Sequence, residues 1–187
     1  MKFSRFEDWE PYYLRILGDL SFDRARDEEA AVLLSTLLHR DDLAVLKRRI
    51  RGKTVTVCGN GPNLIPELDR VRGTVIAADG AATRLFACGI RPAAIVTDLD
   101  GATDAFVEMN RAGTVIVVHA HGDNMNLLWR WVPRFPGHLV GTTQARPLPH
   151  NIIFGGFSDG DRAVFLALGL DAGEVVIAGF DLDDPTV

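Results

Sequence analysis

From Lys53 onward the chain repeats one local pattern, a short apolar, β-branched run that stops at a glycine or a polar cluster. TVTVC runs into GNGPNL, TVIAA into DGAATRL, AAIVT into DLDG and TVIVVH into AHGDN. HLV then meets GTTQ, NIIF meets GGFSDGD and EVVIAGF meets DLDD. Runs this continuously apolar read as strands buried on both faces, the condition of a parallel sheet covered by helices on each side. Helical stretches fit between several of them, notably Thr83 to Cys88 and Arg162 to Leu168. The expectation is an α/β chain with a doubly wound, mostly parallel sheet, without internal repeats or low-complexity linkers.

Residues 1–51 have a different texture. Ser21 is placed to cap a run, FDRARDEEAAVLLSTLLHR, in which Ala30, Leu33, Leu34, Leu37 and Leu38 recur at helical spacing. After Asp41-Asp42 a second run carries Leu43, Leu46 and Ile50 and stops near Gly52. The reading is a helical N-terminal segment over 1–51, with no visible chemistry, ahead of an α/β catalytic domain over 52–187. A chain of 187 residues, 47% of them hydrophobic, can bury one sizeable core.

The net charge of −5 argues against a nucleic-acid surface, which needs a basic stripe along the phosphates. Lys47-Arg48-Arg49 with Arg51 closes a helical run that opens on acid, an order that complements the helix dipole. The N-terminal MKFSRFEDWE lacks the apolar core of a secretory signal, and no apolar run approaches the ~18 residues of a membrane span. The expected location is the cytoplasm, away from membranes, with Cys58 and Cys88 as reduced, buried thiols.

Ligands of parallel sheets sit outside the carboxyl ends of the strands, and the polar clusters quoted above all fall there. Asp79, Asp98, Asp100, Asp123, Asp159 and Asp181 would line that edge, where so many carboxylates raise one another's pKa unless a cation offsets them. A divalent metal is the simplest compensation. Asp98-Leu99-Asp100-Gly101 fits a turn or a helix cap as well as a magnesium site shared with substrate phosphates. GNGPNL, after its strand, is placed to bring backbone N–H groups to a phosphate, but lacks the Gly-Lys-Ser/Thr ending of a Walker loop. It also matches half a dinucleotide fingerprint, with Asp79 following 20 residues after Gly59, although Leu64 stands where the third glycine belongs. Asp79 equally fits a cap of the next helix. His119 and His121 point to one face if they lie on a strand, as phosphate or substrate contacts or as strand-end packing; the chain has few further ligands for zinc. In GGFSDGDRA, one of Ser158, Asp159 and Asp161 is expected to cap a helix starting near Arg162, and the glycine pair marks a close backbone approach.

Taken in order, CGNGPNL, AADGAATRL, VTDLDG, HAHGDN, GTTQ and GGFSDGDRA resemble the archaeal 6-hydroxymethyl-7,8-dihydropterin pyrophosphokinases and, more distantly, the thiamin pyrophosphokinases. The likeness covers roughly residues 50 to 183. Thr83 and Thr97 depart from the thiamin pattern, whereas HAHGDN and GTTQ look like the pterin group. Members of that group usually continue past the last strand with a basic segment, and this sequence stops at Thr186-Val187.

The resemblance implies a Rossmann-like, thiamin-pyrophosphokinase-like sheet and magnesium-dependent transfer of diphosphate from ATP to the hydroxymethyl group of the dihydropterin, releasing AMP. It implies Asp98, Asp100 and Asp123 as catalytic residues, with Asp98 and Asp100 as the metal ligands. Gly59, Asn60, Gly61 and Asn63 would hold phosphates or nucleotide, Asp79 and Arg84 would position ATP, and Asn124, Gln144, Ser158 and Asp159 would meet the pterin-like alcohol. It also implies a homodimer. A thiamin pyrophosphokinase and a nucleotide-binding module without catalysis are the alternative readings.

Overall fold

The computed structural model describes residues 5–39, 41–152 and 154–182. Positions 1–4, 40, 153 and 183–187, including the Thr186-Val187 end, lie outside the described residues. Within them, β1 (Thr54–Cys58), β2 (Thr74–Ala78), β3 (Ala94–Thr97), β4 (Val115–Ala120), β5 (Leu139–Thr143), β6 (Asn151–Ile152) and β7 (Glu174–Ala178) form one sheet. Its order is β6-β5-β4-β3-β2-β1-β7, and every pair of neighbours is parallel. Each apolar run of the sequence supplies one strand.

The alternation of side chains along a strand divides the core into two layers. Val57, Ile76, Val96 and Val117 face one layer, with Leu46 and Ile50 of α3 (Leu43–Ile50) and Ala163 and Leu166 of α7 (Asp159–Gly169). Cys58, Ala77, Ile95, Ile116 and Val118 face the other. There they meet Leu34 of α2 (Arg24–Leu37), Leu85 of α4 (Ala81–Ala87), Phe106 of α5 (Asp104–Arg111) and Trp131 of α6 (Met125–Trp131). With both faces covered, the strands are predominantly apolar, and burying each of the larger side chains contributes about 1.5–3 kcal/mol.

The N-terminal segment packs into this body. Alongside α2, a further helix, α1 (Phe6–Leu20), buries Phe6, Trp9 and Tyr13 against Ala145, and the Trp9 indole N–H donates to the Gln144 carbonyl at 3.0 Å. Ser21 does not begin α2. It stands in the left-handed conformation at the end of α1, φ 56°, with its N–H on the Leu17 carbonyl. That φ is incompatible with the extended backbone of an N-cap, and Asp23 takes the role, its carboxylate accepting the Ala25 N–H at 2.9 Å. Cys88 also departs from expectation: it follows the last turn of α4 and is exposed, whereas Cys58, on β1, is buried and its thiol is pushed up to about 12 by burial.

From β1 to β6 the chain steps in one direction across the sheet; α7 then carries it back so that β7 pairs with β1 on the far side. The strand order reverses between β1 and β7, which makes this a topological switch point, and a crevice opens at the carboxyl ends of the two strands, where open α/β sheets bind ligands. The start of α7 lies over this edge. Ser158 caps it, its side chain accepting the Asp161 N–H, while the Asp161 carboxylate reaches back to the Phe157 N–H at 2.9 Å. Ser158→Ala removes one half of this reciprocal cap. It should lower unfolding free energy by about 1 kcal/mol, read as a lower midpoint in urea with an unchanged slope.

Candidate active site

Three junctions deliver carboxylates to one point on the carboxyl edge. Asp79 follows β2, Asp98 follows β3, and Asp159 opens α7; one oxygen from each lies within 4.8 Å of the others. Asp79 adopts φ 41°, a conformation Asp tolerates better than most residues, and the Thr97 hydroxyl donates to it. Gly101 of the DLDG turn lies directly against the Asp79 carboxylate, and a Cβ there would collide with it. The glycine is thus required by a neighbouring strand end as much as by its own turn.

Electrostatics at this point are adverse without a cation. Burial, with repulsion from Asp100 and Asp98, raises the Asp79 carboxyl to about 6 against the pull of the Thr97 hydroxyl. Burial and the Asp98 charge raise Asp159 to about 7, although Arg162, itself 8% exposed, lies 3.4 Å away. Asp98 goes the other way. Burial opposes its ionisation, but His121 Nε2 at 3.4 Å and the Asp100 N–H at 3.1 Å outweigh it and hold the carboxyl at about 2. Burial and the Asp98 charge raise Asp100. Hard oxygen donors converging without enough positive charge suit a magnesium ion.

The group stands between two cavities, and Asp159 lines both. One, of about 460 Å³, occupies the switch-point crevice and is bounded by Gly59, Asn60, Gly61, Asp79, Gly80, Gly179, Phe180 and Asp181. The Gly59 and Gly61 N–H groups are bonded to the Ala178 and Gly179 carbonyls of β7 and its exit, each at 2.8 Å. These glycines contribute close backbone approach; their amide protons are already used. Asn63 Nδ2 donates to the Phe180 carbonyl, and Arg84, from α4, donates to the Asn60 and Gly61 carbonyls at 3.1 and 2.8 Å, so both fasten the loop.

The second cavity, of about 300 Å³, contains Asp98, His121, Asp123, Gln144, Ser158 and Asp159, together with Phe22, Arg26 and Asp27 from the N-terminal segment. Asp123 is exposed on its rim. Asn124 is 2% exposed; its side chain donates to the Asp98 and His119 carbonyls at 2.7 Å and accepts the His121 N–H at 3.1 Å, pinning the ends of β3 and β4 together. His119 is buried and bonds Thr142 at 3.0 Å, while His121 faces Asp98; the two rings lie side by side, 6.2 Å apart at centroid. Of the pair in DLDG, Asp98 joins the carboxylate group, while Asp100 is exposed beside it. Asp79 and Asp159 complete the group, and Asp27 enters a site that the sequence pattern left to the catalytic domain. No spacing in the sequence marks Asp27, because it sits in an ordinary charged helical turn.

Asp79 offers a signed test of this electrostatic picture. Its folded-state pKa lies above the unfolded value, so the stability linked to it is full below pH ~4 and is lost as pH rises through about 6. In EDTA at pH 8, Asp79→Asn should therefore be more stable than wild type by on the order of 1–2 kcal/mol, with the gain gone near pH 4. Thermal unfolding at the two pH values measures it; destabilisation at pH 8 would contradict the repulsion described.

The chain also matches known proteins over most of its length. Residues 30–186 match the family model described as 6-hydroxymethylpterin diphosphokinase MptE-like. A protein of Methanothermobacter thermautotrophicus named 6-hydroxymethyl-7,8-dihydropterin pyrophosphokinase is 45% identical over 94% of this chain and 78% of its own. Proteins of the same name from Pyrococcus furiosus and Methanocaldococcus jannaschii are 44% and 38% identical, over 95% and 94% of this chain and 78% and 79% of theirs. Among solved structures, a Maf glycosyltransferase from Magnetospirillum magneticum aligns with 89% of this chain and 29% of its own at TM-score 0.53 and 16% identity, a likeness of fold alone. With most of its length matched by the family model and by these relatives, the chain belongs to the 6-hydroxymethylpterin diphosphokinase MptE-like family.

Proposed function

We propose that this chain transfers the diphosphoryl group of ATP to the hydroxymethyl group of 6-hydroxymethyl-7,8-dihydropterin in a magnesium-dependent reaction that releases AMP. The observation that carries the reading is the position of Asp79, Asp98 and Asp159 between two cavities, with Asp159 on both walls. A transfer between two bound molecules needs such a shared boundary. ATP occupies the switch-point crevice, its phosphates directed at the acids; the acceptor occupies the cavity beside Asp98. The acceptor oxygen bonds the β-phosphorus, the bond from that phosphorus to the α,β-bridging oxygen breaks, AMP leaves with that oxygen, and the hydroxyl proton is lost to solvent.

Magnesium, bound by these carboxylates, would neutralise the phosphate charge that develops in the transfer. The chain's own residues do the positioning. Arg84 fastens the glycine loop, Asn124 locks the β3 and β4 ends, and Thr97 and Gly101 fix the Asp79 carboxylate. Reaction at a highly charged phosphorus needs little covalent help from side chains, so placing two substrates in line supplies much of the rate. Asp100 and Asp123, at the margin of the group, supplement its negative field.

The same reading includes a cytoplasmic homodimer. No helix of the described residues is long and apolar enough to cross a membrane. Val32 and Trp129, 54% and 60% exposed along one shallow groove, are available to a second copy. Light scattering at micromolar concentration should return twice the chain mass.

Turnover of MgATP with the dihydropterin should yield AMP, stop in excess EDTA, and proceed with roughly 10⁴-fold lower efficiency on thiamin, whose ring leaves a pterin pocket's polar groups unpaired. Asp98→Asn and Asp159→Asn should each lower kcat by about 10²–10³ with the circular dichroism spectrum retained. ADP as product, comparable efficiency on thiamin, or full activity in EDTA would overturn the assignment.

A further inference from the structure

The cavity beside Asp98 is walled by a part of the chain whose pattern announces only helices. Phe22 lies in the turn between α1 and α2, and Phe157 lies just before α7; their rings are 6.2 Å apart at centroid and 20° from parallel. Both are 39% exposed, so the core does not fix them. At this separation the two near-parallel rings already touch each other, and both line the cavity, so a flat ring entering it meets an aromatic wall on which it can stack.

Asp27, from the first turn of α2, lines the same cavity and is 3% exposed. Its Oδ2 accepts the Tyr13 hydroxyl and Gln144 Nε2, and its Oδ1 accepts the Gly122 N–H, each at 2.8 Å. A carboxylate has about four acceptor sites, which leaves one on Oδ1. Among the described residues Asp27 has no salt bridge, although a buried carboxylate is costly without a cation or a full set of donors. A ligand with N–H donors completes that set. The Gln144 amide that donates to Asp27 lines the same cavity, beside the carboxylate.

We propose that Asp27 reads the acceptor in this cavity while Phe22 and Phe157 cover its ring, so that the N-terminal segment selects a flat, nitrogen-rich heterocycle with an N–H-bearing edge. The inference rests on the pyrophosphokinase reading for the identity of that ring, whose 2-amino-4-oxo edge carries such donors. Asp27 also ties α1, the exit of β5 and the loop after β4 together, so loss of stability on substitution does not test the idea. Discrimination between ligands does.

The experiment is fluorescence-detected binding of 6-hydroxymethylpterin and of its N2,N2-dimethyl derivative to the full chain without ATP, alongside steady-state kinetics with MgATP. Phe22→Ala and Phe157→Ala should each weaken pterin binding roughly 5–100-fold, the loss of a stacked ring. The KM for MgATP should stay within about twofold, since the ATP site is untouched. Dimethylation, which removes the exocyclic donors, should weaken binding to wild type about 10-fold or more, and Asp27→Asn should narrow that preference to under about threefold. If Asp27→Asn does not fold, the two phenylalanine variants, both at exposed positions, still decide. A wild type that turns the pterin over while both phenylalanine variants bind it normally, or while Asp27→Asn keeps the full preference, overturns this subsite and leaves the proposed reaction standing. A wild type that neither binds the pterin nor forms AMP with it overturns both.

Discussion

The Asp79, Asp98 and Asp159 carboxylates repel one another, and the surrounding structure is organised around holding them together. Three separate junctions must end at one point, so the sheet register at β2 and β3 and the start of α7 are constrained jointly. Thr97 bonds Asp79 from the neighbouring strand, Asn124 joins the exits of β3 and β4, and Gly101 keeps the space that Asp79 fills. Helix burial on both faces provides the rigidity against which this repulsion is held. The raised carboxyls of Asp79 and Asp159 are the remaining imbalance, and a cation would remove it.

The two cavities have different architectural origins. The crevice that takes ATP in the proposed reaction is a consequence of topology: β7 returns beside β1, and the loops after the two strands bound it with Gly59 and Gly179. Close approach is essential there, because a Cβ on Gly59 would sit 2.6 Å from the Gly179 carbonyl oxygen. The other cavity depends on α1 and α2 being docked. Trp9 and Tyr13 attach α1 to the body by burial and by hydrogen bonds to Gln144 and Asp27, so the helical segment forms a wall of the site.

The strands were legible in the sequence because a parallel strand covered on both faces is predominantly apolar and β-branched along its length, and the seven runs beginning with TVTVC have that character. The acids were legible as a set for a related reason: strand exits are where polar residues become tolerable, so Asp79 and Asp98 had to fall on the carboxyl edge. Capping of α7 was likewise local, decided within the few residues of Phe157 to Asp161. Ser21 shows the limit of local reading. Its hydroxyl type suits an N-cap, but α1 ends there and needs a left-handed residue to turn the chain, so Asp23 became the cap.

Sequence alone thus determined the strand positions, the largely apolar core layers and the list of acids available at one edge, because each follows from short-range periodicity and from the cost of burying polar groups. Tertiary structure decided which acids meet. Asp159 reaches Asp79 and Asp98 only because α7 crosses back over the sheet to β7, while Asp100, one residue removed from Asp98, is left exposed beside the group by the turn at Leu99, φ 79°. It also decided that Asp27 belongs to the site, through contacts with Gly122 and Gln144 that lie 95 and 117 residues away along the chain. Contacts of that separation depend on how helices dock against a finished sheet, and no local spacing encodes them.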